Sequence, residues 1–206
     1  MKSETPDVAL VFEKYKYLIS LVDRATEKVL RQRQDYLGHH IAGLISDDLK
    51  TVVYITTDRH LWFPPMIQWW DLETDEVTTL ASGHNIYTAW LEVACHWESG
   101  LVVLGGIDGF SAYDLTASRM LWSRMSESAD SRRVVHDVSI SSRGDLVCIL
   151  QKRRVSIRRA LTGDVLKHQL LAEDFMECKF QAGDSTIVLR PQEGNTVFSV
   201  AVDANS

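Results

Sequence analysis

One short phrase returns five times along this chain: apolar residues, an aspartate, two residues, a threonine or serine, then apolar residues again. It reads Leu21-Val22-Asp23-Arg24-Ala25-Thr26, then Trp69-Trp70-Asp71-Leu72-Glu73-Thr74, then, with the spacing varied, Ala112-Tyr113-Asp114-Leu115-Thr116-Ala117-Ser118. The fourth copy, Ile157-Arg158-Arg159-Ala160-Leu161-Thr162, puts an arginine in the aspartate's place, and the fifth reads Val202-Asp203-Ala204-Asn205-Ser206. Positions 23, 71, 114, 159 and 203 lie 48, 43, 45 and 44 residues apart. A period of about 40 to 45 residues with four strands per unit is that of a β-propeller. The expected fold class is therefore all-β: a small β-propeller of about five blades, with the first and last blades incomplete. A single domain over 1–206 holds repeats at about 7–34, 38–82, 83–126, 134–171 and 175–206.

Alternating apolar positions divide each repeat into short strands. In the third they run Ala89 to His96, Leu101 to Gly105, Phe110 to Tyr113 and Met120 to Arg124. In the fourth they run Asp137 to Ser141, Asp145 to Gln151, Val155 to Arg159 and Val165 to Leu170. Glu98-Ser99-Gly100, Arg143-Gly144-Asp145 and Ala182-Gly183-Asp184 are turn sequences between first and second strands. The N-terminal repeat supplies three strands (Val8 to Arg33), and so does the C-terminal one (Met176 to Val202). A ring that joins the two ends is expected, with an open arc, or a ring completed by a partner chain, as the alternative.

Here the chain resembles the WD-repeat propellers. Gly38-His39 precedes Trp70-Asp71 by 32 residues, Gly83-His84 precedes Tyr113-Asp114 by 30, and Ile107-Asp108-Gly109 resembles that family's tight turn. The fourth repeat departs from the pattern, with Val135-His136 and Arg158-Arg159 at those places. The resemblance implies a rigid, usually non-catalytic platform for protein partners.

Composition narrows the function. The longest apolar run, Leu101 to Ile107, is 7 residues, far short of the roughly 20 that span a bilayer. No signal-peptide core follows Met1. Cys95, Cys148 and Cys178 are scattered among aliphatic residues, where a thiol acts as a small hydrophobe. A reducing cytoplasm is the expected location. The net charge is −6, unevenly spread: residues 130–170 hold nine Lys or Arg against four Asp or Glu. His39, His40, His60, His84, His96, His136 and His168 show no metal-ligand spacing. No nucleophile elbow or phosphate-binding glycine loop is present.

Three places carry candidate chemistry. Aligning first strands puts Glu92, Asp137 and Glu177 at equivalent positions, with Ala42 in the second repeat. Three carboxylates converging on a channel mouth can receive a partner's cation, hold a metal or do acid–base work; three solvated acids is the plainer reading. The second repeat also carries an oversized turn: Asp58 to Asp71 is 13 residues, where Asp108 to Asp114 is 6. It holds Trp62, Phe63 and Met66 beside Pro64-Pro65, a stiff aromatic pair of the kind that anchors interfaces; the plainer reading folds it over a neighbouring blade. Arg132, Arg133, Arg143, Lys152, Arg153, Arg154, Arg158 and Arg159 form a basic sector, read as a solvated outer face or a patch that meets an acidic copy. Without aromatic residues to stack bases, it argues against nucleic acid.

These readings predict a non-catalytic, protein-binding propeller rather than an enzyme, cytoplasmic, with no cofactor, metal or membrane association. Its partner would be another protein with a basic surface, met through Trp62, Phe63, Met66, Glu92, Asp137 and Glu177. The most concrete form is a stand-alone inhibitor or immunity-type protein that caps a basic enzyme or toxin. The alternatives are a five-bladed carbohydrate-active enzyme using the three carboxylates, and a nucleic-acid-associated scaffold subunit.

Overall fold

The computed structural model describes residues 7–13, 17–35, 40–57, 66–82, 92–106, 109–125, 134–191 and 198–202. Every regular element among them is a β-strand. The first sheet holds β1 (Val8–Glu13), β2 (Leu18–Asp23) and β3 (Val29–Gln34); the second β4 (His40–Ile45), β5 (Thr51–Thr57), β6 (Met66–Asp71) and β7 (Val77–Ser82). The third holds β8 (Glu92–His96), β9 (Leu101–Gly105), β10 (Gly109–Asp114) and β11 (Arg119–Met125). The fourth has β12 (Val135–Ile140), β13 (Leu146–Gln151), β14 (Arg154–Arg159) and β15 (Val165–Leu170). The fifth has β16 (Glu177–Phe180), β17 (Thr186–Arg190) and β18 (Phe198–Ala201). All five are antiparallel meanders, and the three-stranded sheets stand at the two ends.

The recurring aspartate closes a turn in three of them. Asp23 Oδ1 accepts the N–H groups of Ala25 and Thr26, Asp71 Oδ1 those of Glu73 and Thr74, and Asp114 Oδ1 those of Thr116 and Ala117. A carboxylate that accepts hydrogen bonds favours its ionised form, and all three carboxyls are held below the usual range, Asp23 and Asp71 first by these backbone bonds and Asp114 first by the Thr116 hydroxyl and then by them. The register fixes which strands they join. Asp71 and Asp114 sit between third and fourth strands, but Asp23 sits between β2 and β3. β1 thus occupies a second-strand place, and among the described residues no strand lies beyond it. The same register corrects the fifth copy. Leu72 N–H donates to Lys50 O, Leu115 to Gly100 and Ala160 to Asp145, and in the fifth sheet it is Val202 that donates to Ser185 O. Ala201, not Asp203, therefore holds the aspartate's place.

Strand alternation sends one set of side chains to the preceding sheet and the other to the following one. Four buried clusters result. Ile19 and Leu21 meet Val52, Tyr54 and Trp70 between the first and second sheets. Val53, Ile55 and Ile67 meet Val102, Leu104 and Tyr113 between the second and third. Phe110, Ala112 and Trp122 meet Val135, Val147 and Ile149 next, and Cys148, Leu150 and Ile157 meet Cys178, Ile187 and Leu189 last. Each fully buried aliphatic or aromatic side chain contributes about 1.5–3 kcal/mol, so these junctions hold the molecule together. First strands lie beside one another, β4 on β8, β8 on β12 and β12 on β16. The expected packing of the first repeat on the last is not met: among the described residues no buried cluster joins the first sheet to the fifth.

Candidate functional site

The three candidate carboxylates form a staircase rather than a cluster, and alternation is the reason. Val93, Val138 and Cys178 each pack on the preceding sheet, so Glu92, Asp137 and Glu177 each face onward. Glu92 points toward the fourth sheet, where Asp137 lies within electrostatic reach. Burial, and then the negative charge of Asp137, push the Glu92 carboxyl up from 4.5 to about 7. Asp137 reaches the fifth sheet, where its Oδ2 accepts the Cys178 N–H at 2.7 Å while Oδ1 accepts the Val138 N–H at 2.9 Å. Burial still holds its carboxyl above the usual range. Glu177 is exposed and meets Arg190 at 3.7 Å. Among the described residues no three His, Cys, Asp or Glu side chains stand close enough to hold a metal ion.

A second constellation went unseen in the sequence because its members come from three repeats. His96 Nε2 lies 3.0 Å from the Ser142 carbonyl oxygen, and Ser142 Oγ donates to Asp184 Oδ2 at 2.7 Å. With the proton on Nε2, Nδ1 accepts from Ser99 Oγ at 2.8 Å. The imidazole therefore meets the serine's carbonyl and not its hydroxyl, so it cannot take the hydroxyl proton as a nucleophile's base must. This chain of bonds ties the third, fourth and fifth sheets together along one edge.

The basic sector divides into two groups. Arg143 pairs with Asp145 at 3.0 Å, and Lys152 and Arg153 pair with Asp174 at 3.6 and 3.1 Å. Arg158 does not belong to a solvated face: it is 8% exposed, with its guanidinium 4.8 Å above the Phe110 ring. Its place in the repeat explains this. The residue before the turn aspartate is Trp70 in the second sheet and Tyr113 in the third, each packed on the preceding sheet. A planar guanidinium replaces the ring in the fourth. Trp70 Nε1 donates to Asp75 Oδ1, four residues past Asp71, and Arg158 Nη1 donates to Gly163 O, four past Arg159. Three residues before the same turn, Ser20, Gln68, Ser111 and Ser156 are all polar and all buried. Arg132 and Arg133 lie outside the described residues.

Trp62 and Phe63 also lie outside them, as do His39, His60 and His84. Met66 begins β6, half-buried, with its sulfur 3.9 Å from Gln68 Nε2. The Cys148 and Cys178 side chains are buried, and burial pushes the Cys95 thiol up to about 12 and that of Cys178 well upward. Among the described residues no helix is long and apolar enough to cross a membrane.

No protein-family model matches this chain, and no curated protein does. The WD-repeat resemblance therefore extends to the all-β, propeller-like architecture alone. Among solved structures, dihydro-heme d1 dehydrogenase NirN in complex with DHE is similar, with a TM-score of 0.65 at 11% identity. The match covers 100% of this chain and 44% of that one, so the chain spans less than half of NirN's length. The likeness establishes a propeller-like fold. It also corrects the expectation that this chain is not an enzyme: the same fold serves a dehydrogenase, so the architecture gives no ground for excluding catalysis.

Proposed function

We propose that the chain is a protein-binding module whose five sheets act as blades of an open arc, with another protein engaged at the first sheet. In its most concrete form it is a stand-alone inhibitor or immunity-type protein that caps a basic enzyme or toxin. The supporting observation is the end of the arc. β1 presents a backbone edge on which no described strand pairs, and such an edge is a template for an added strand. Beside it, Val11 and Val29 are 39% and 48% exposed. The net charge of −6 favours a partner with a basic surface and speeds its approach. Trp62, Phe63 and Met66 are further candidate anchors offered by the sequence, the first two outside the described residues.

The test is capture from the native host by the full chain, followed by binding of the purified partner. A basic protein bound by the wild type but weakened by Val11→Asp/Val29→Asp, and by high salt, supports this reading. A partner bound equally by the double variant and indifferent to salt sinks it.

A second reading is favoured by one feature, the Glu92 carboxyl held to about 7 beside Asp137. A carboxyl held protonated beside a second carboxyl suits acid–base work on a glycoside. Hydrolysis of chromogenic glycosides that disappears in Glu92→Gln would favour it over protein binding; no turnover across a broad panel would remove it.

A further inference from the structure

In four sheets the second strand carries a first strand along one edge: β4 on β5, β8 on β9, β12 on β13 and β16 on β17. β1 holds a second-strand place, and among the described residues it pairs with β2 alone. The Arg24 N–H donates to Asp7 O, so Asp7, Ala9 and Val11 turn their backbone groups toward β2. Alternation then turns those of Val8, Leu10 and Phe12 toward the open edge. An edge of this kind accepts a strand, and the other sheets show what that strand is like.

Register gives its side chains. Leu10 matches Val53, Val103, Cys148 and Val188, whose first-strand partners are Leu44, Ala94, Ser139 and Lys179. Phe12 matches Ile55, Gly105, Leu150 and Arg190, whose partners are Ala42, Glu92, Asp137 and Glu177. The residue in this last place is small or acidic in every sheet that has one. The junction with the second sheet adds a reason. Gly43 stands where the later sheets have Val93, Val138 and Cys178, and a Cβ there would lie 2.8 Å from both Leu10 Cδ2 and Phe12 Cζ. Leu10 and Phe12 already lean on the bare backbone of β4, which leaves little depth for a bulky neighbour. An acid has a bond to gain there: Asp137 accepts the Cys178 N–H of the next sheet at 2.7 Å, and Gly43 holds the place of Cys178 in the second sheet.

We propose that the open edge of β1 takes an extended segment of another protein as its first strand, antiparallel to β1, with a small or acidic residue opposite Phe12. This rests on the protein-binding reading and names what the partner brings to the first sheet. A second copy has no equivalent strand to lend, since β4, β8, β12 and β16 are each paired within their own sheets. Backbone bonds to Leu10 and Phe12 hold the segment, and the residue opposite Phe12 selects it.

A synthetic peptide of residues Arg133–Ser142 is the probe, because β12 sets Asp137 and Ser139 at the places that lie opposite Phe12 and Leu10. Titrated into the full chain and followed by amide NMR, it should saturate with a Kd on the order of 1 mM or below. The Leu10 and Phe12 amides should then exchange at least about tenfold more slowly, while those of Ala9 and Val11, already bonded to β2, change little. N-methylation of the peptide at Ser139 removes an N–H that faces the second strand, and should weaken binding about tenfold. At Ile140, whose N–H points away, the loss should stay below about threefold. Asp137→Trp in the peptide should weaken binding about tenfold by crowding Phe12. No saturable binding up to about 10 mM overturns the proposal, as does equal loss at the two methylation sites or protection of other strands instead. So does binding that appears only once residues 1–6 are removed, because the chain's own segment would then be the occupant. A captured partner that leaves Leu10 and Phe12 unprotected keeps the protein-binding reading and removes this one. Peptide addition with no partner captured does the reverse.

Discussion

Val11 and Tyr54 occupy the same place in two repeats: Val11 pairs with Ser20, three residues before Asp23, and Tyr54 pairs with Gln68, three before Asp71. Tyr54 is wholly buried and Val11 is 39% exposed. The difference is the neighbour, since the first sheet packs against the face that carries Tyr54 and no described sheet packs against the face that carries Val11. The Tyr54 hydroxyl donates to Asp35, and burial, then Asp35, push its ionisation far upward. The junction of the third and fourth sheets is tied by hydrogen bonds as well as by packing. Trp122 packs edge-on against Phe110 and donates its indole N–H to the Ala160 carbonyl at 2.7 Å. In a repeat protein a sheet gains most of its stability from the interface with the next one, so equivalent residues should differ sharply in what their loss costs.

The largest expected effect follows directly. Trp122→Ala should cost about 3–5 kcal/mol, seen as a Tm lower by roughly 10 °C or more. Val11→Ala, at the place that Tyr54 holds in the second sheet, should shift Tm by no more than about 1–2 °C. Comparable losses in the two would mean that the Val11 face is covered in solution, and the arc would then be closed. Next in size is Gly163→Ala. Gly163 has φ +73°, and a Cβ there would stand 2.8 Å from Trp122 Cδ2. Left-handed backbone and ring contact together make a loss of about 2–3 kcal/mol the expected outcome of chemical denaturation. A loss under half of that would show that the indole can move aside, and that the junction is looser than its contacts imply.

The period, the strands and the turn aspartates were legible because each depends on residues a few places apart. Thr51 to Thr56, Leu101 to Gly105 and Val165 to Leu170 fall within a residue of the strands observed. What was not legible depends on the partner strand or sheet. Asp203 looked like the fifth copy by its neighbours, yet the Val202–Ser185 bond sets the register at Ala201. The carboxylates were expected to converge because they share a position, whereas alternation turns each toward the following sheet. Arg158 read as a solvated cation because arginine usually is. The available signal was its position directly before the turn, where Trp70 and Tyr113 stand. The His96–Ser142–Asp184 chain had no signal at all, being spread over residues 46 and 42 apart.

A smaller effect, tied to pH, separates the inner strands from the outer faces. Unfolded Glu92 loses its proton near 4.5, while the folded protein keeps it to about 7. The folded state thus binds more protons between those values, and this group's contribution to stability falls as pH rises through that window. Glu92→Gln keeps the shape without the charge. It should raise stability at pH 8 by on the order of 1 kcal/mol after solvent screening is discounted, and change little at pH 4. Thermal melts at both values measure this; an identical shift at both would place the Glu92 carboxylate in solvent.

The smallest expected effect on stability is also the one that bears most on function. Val11 and Val29 lie on the outward face of the first sheet, on either side of β2, and their neighbours there are Ser20, Val22 and Gln32. Replacing both with Asp exposes no new apolar area and buries no charge, so Tm should move by no more than about 1–2 °C. The altered face would nevertheless carry two desolvated carboxylates into any interface formed there, a cost of several kcal/mol without matching cations. The partner should therefore lose at least about tenfold in affinity, measured by titration alongside a Leu161→Asp control on the exposed turn of the fourth sheet. If the double variant melts far lower, Val11 and Val29 are part of a core, and the ends of the arc are joined. If it is stable and binds as tightly as the control, the partner sits elsewhere, and the loop bearing Trp62 and Phe63 becomes the surface that must account for recognition.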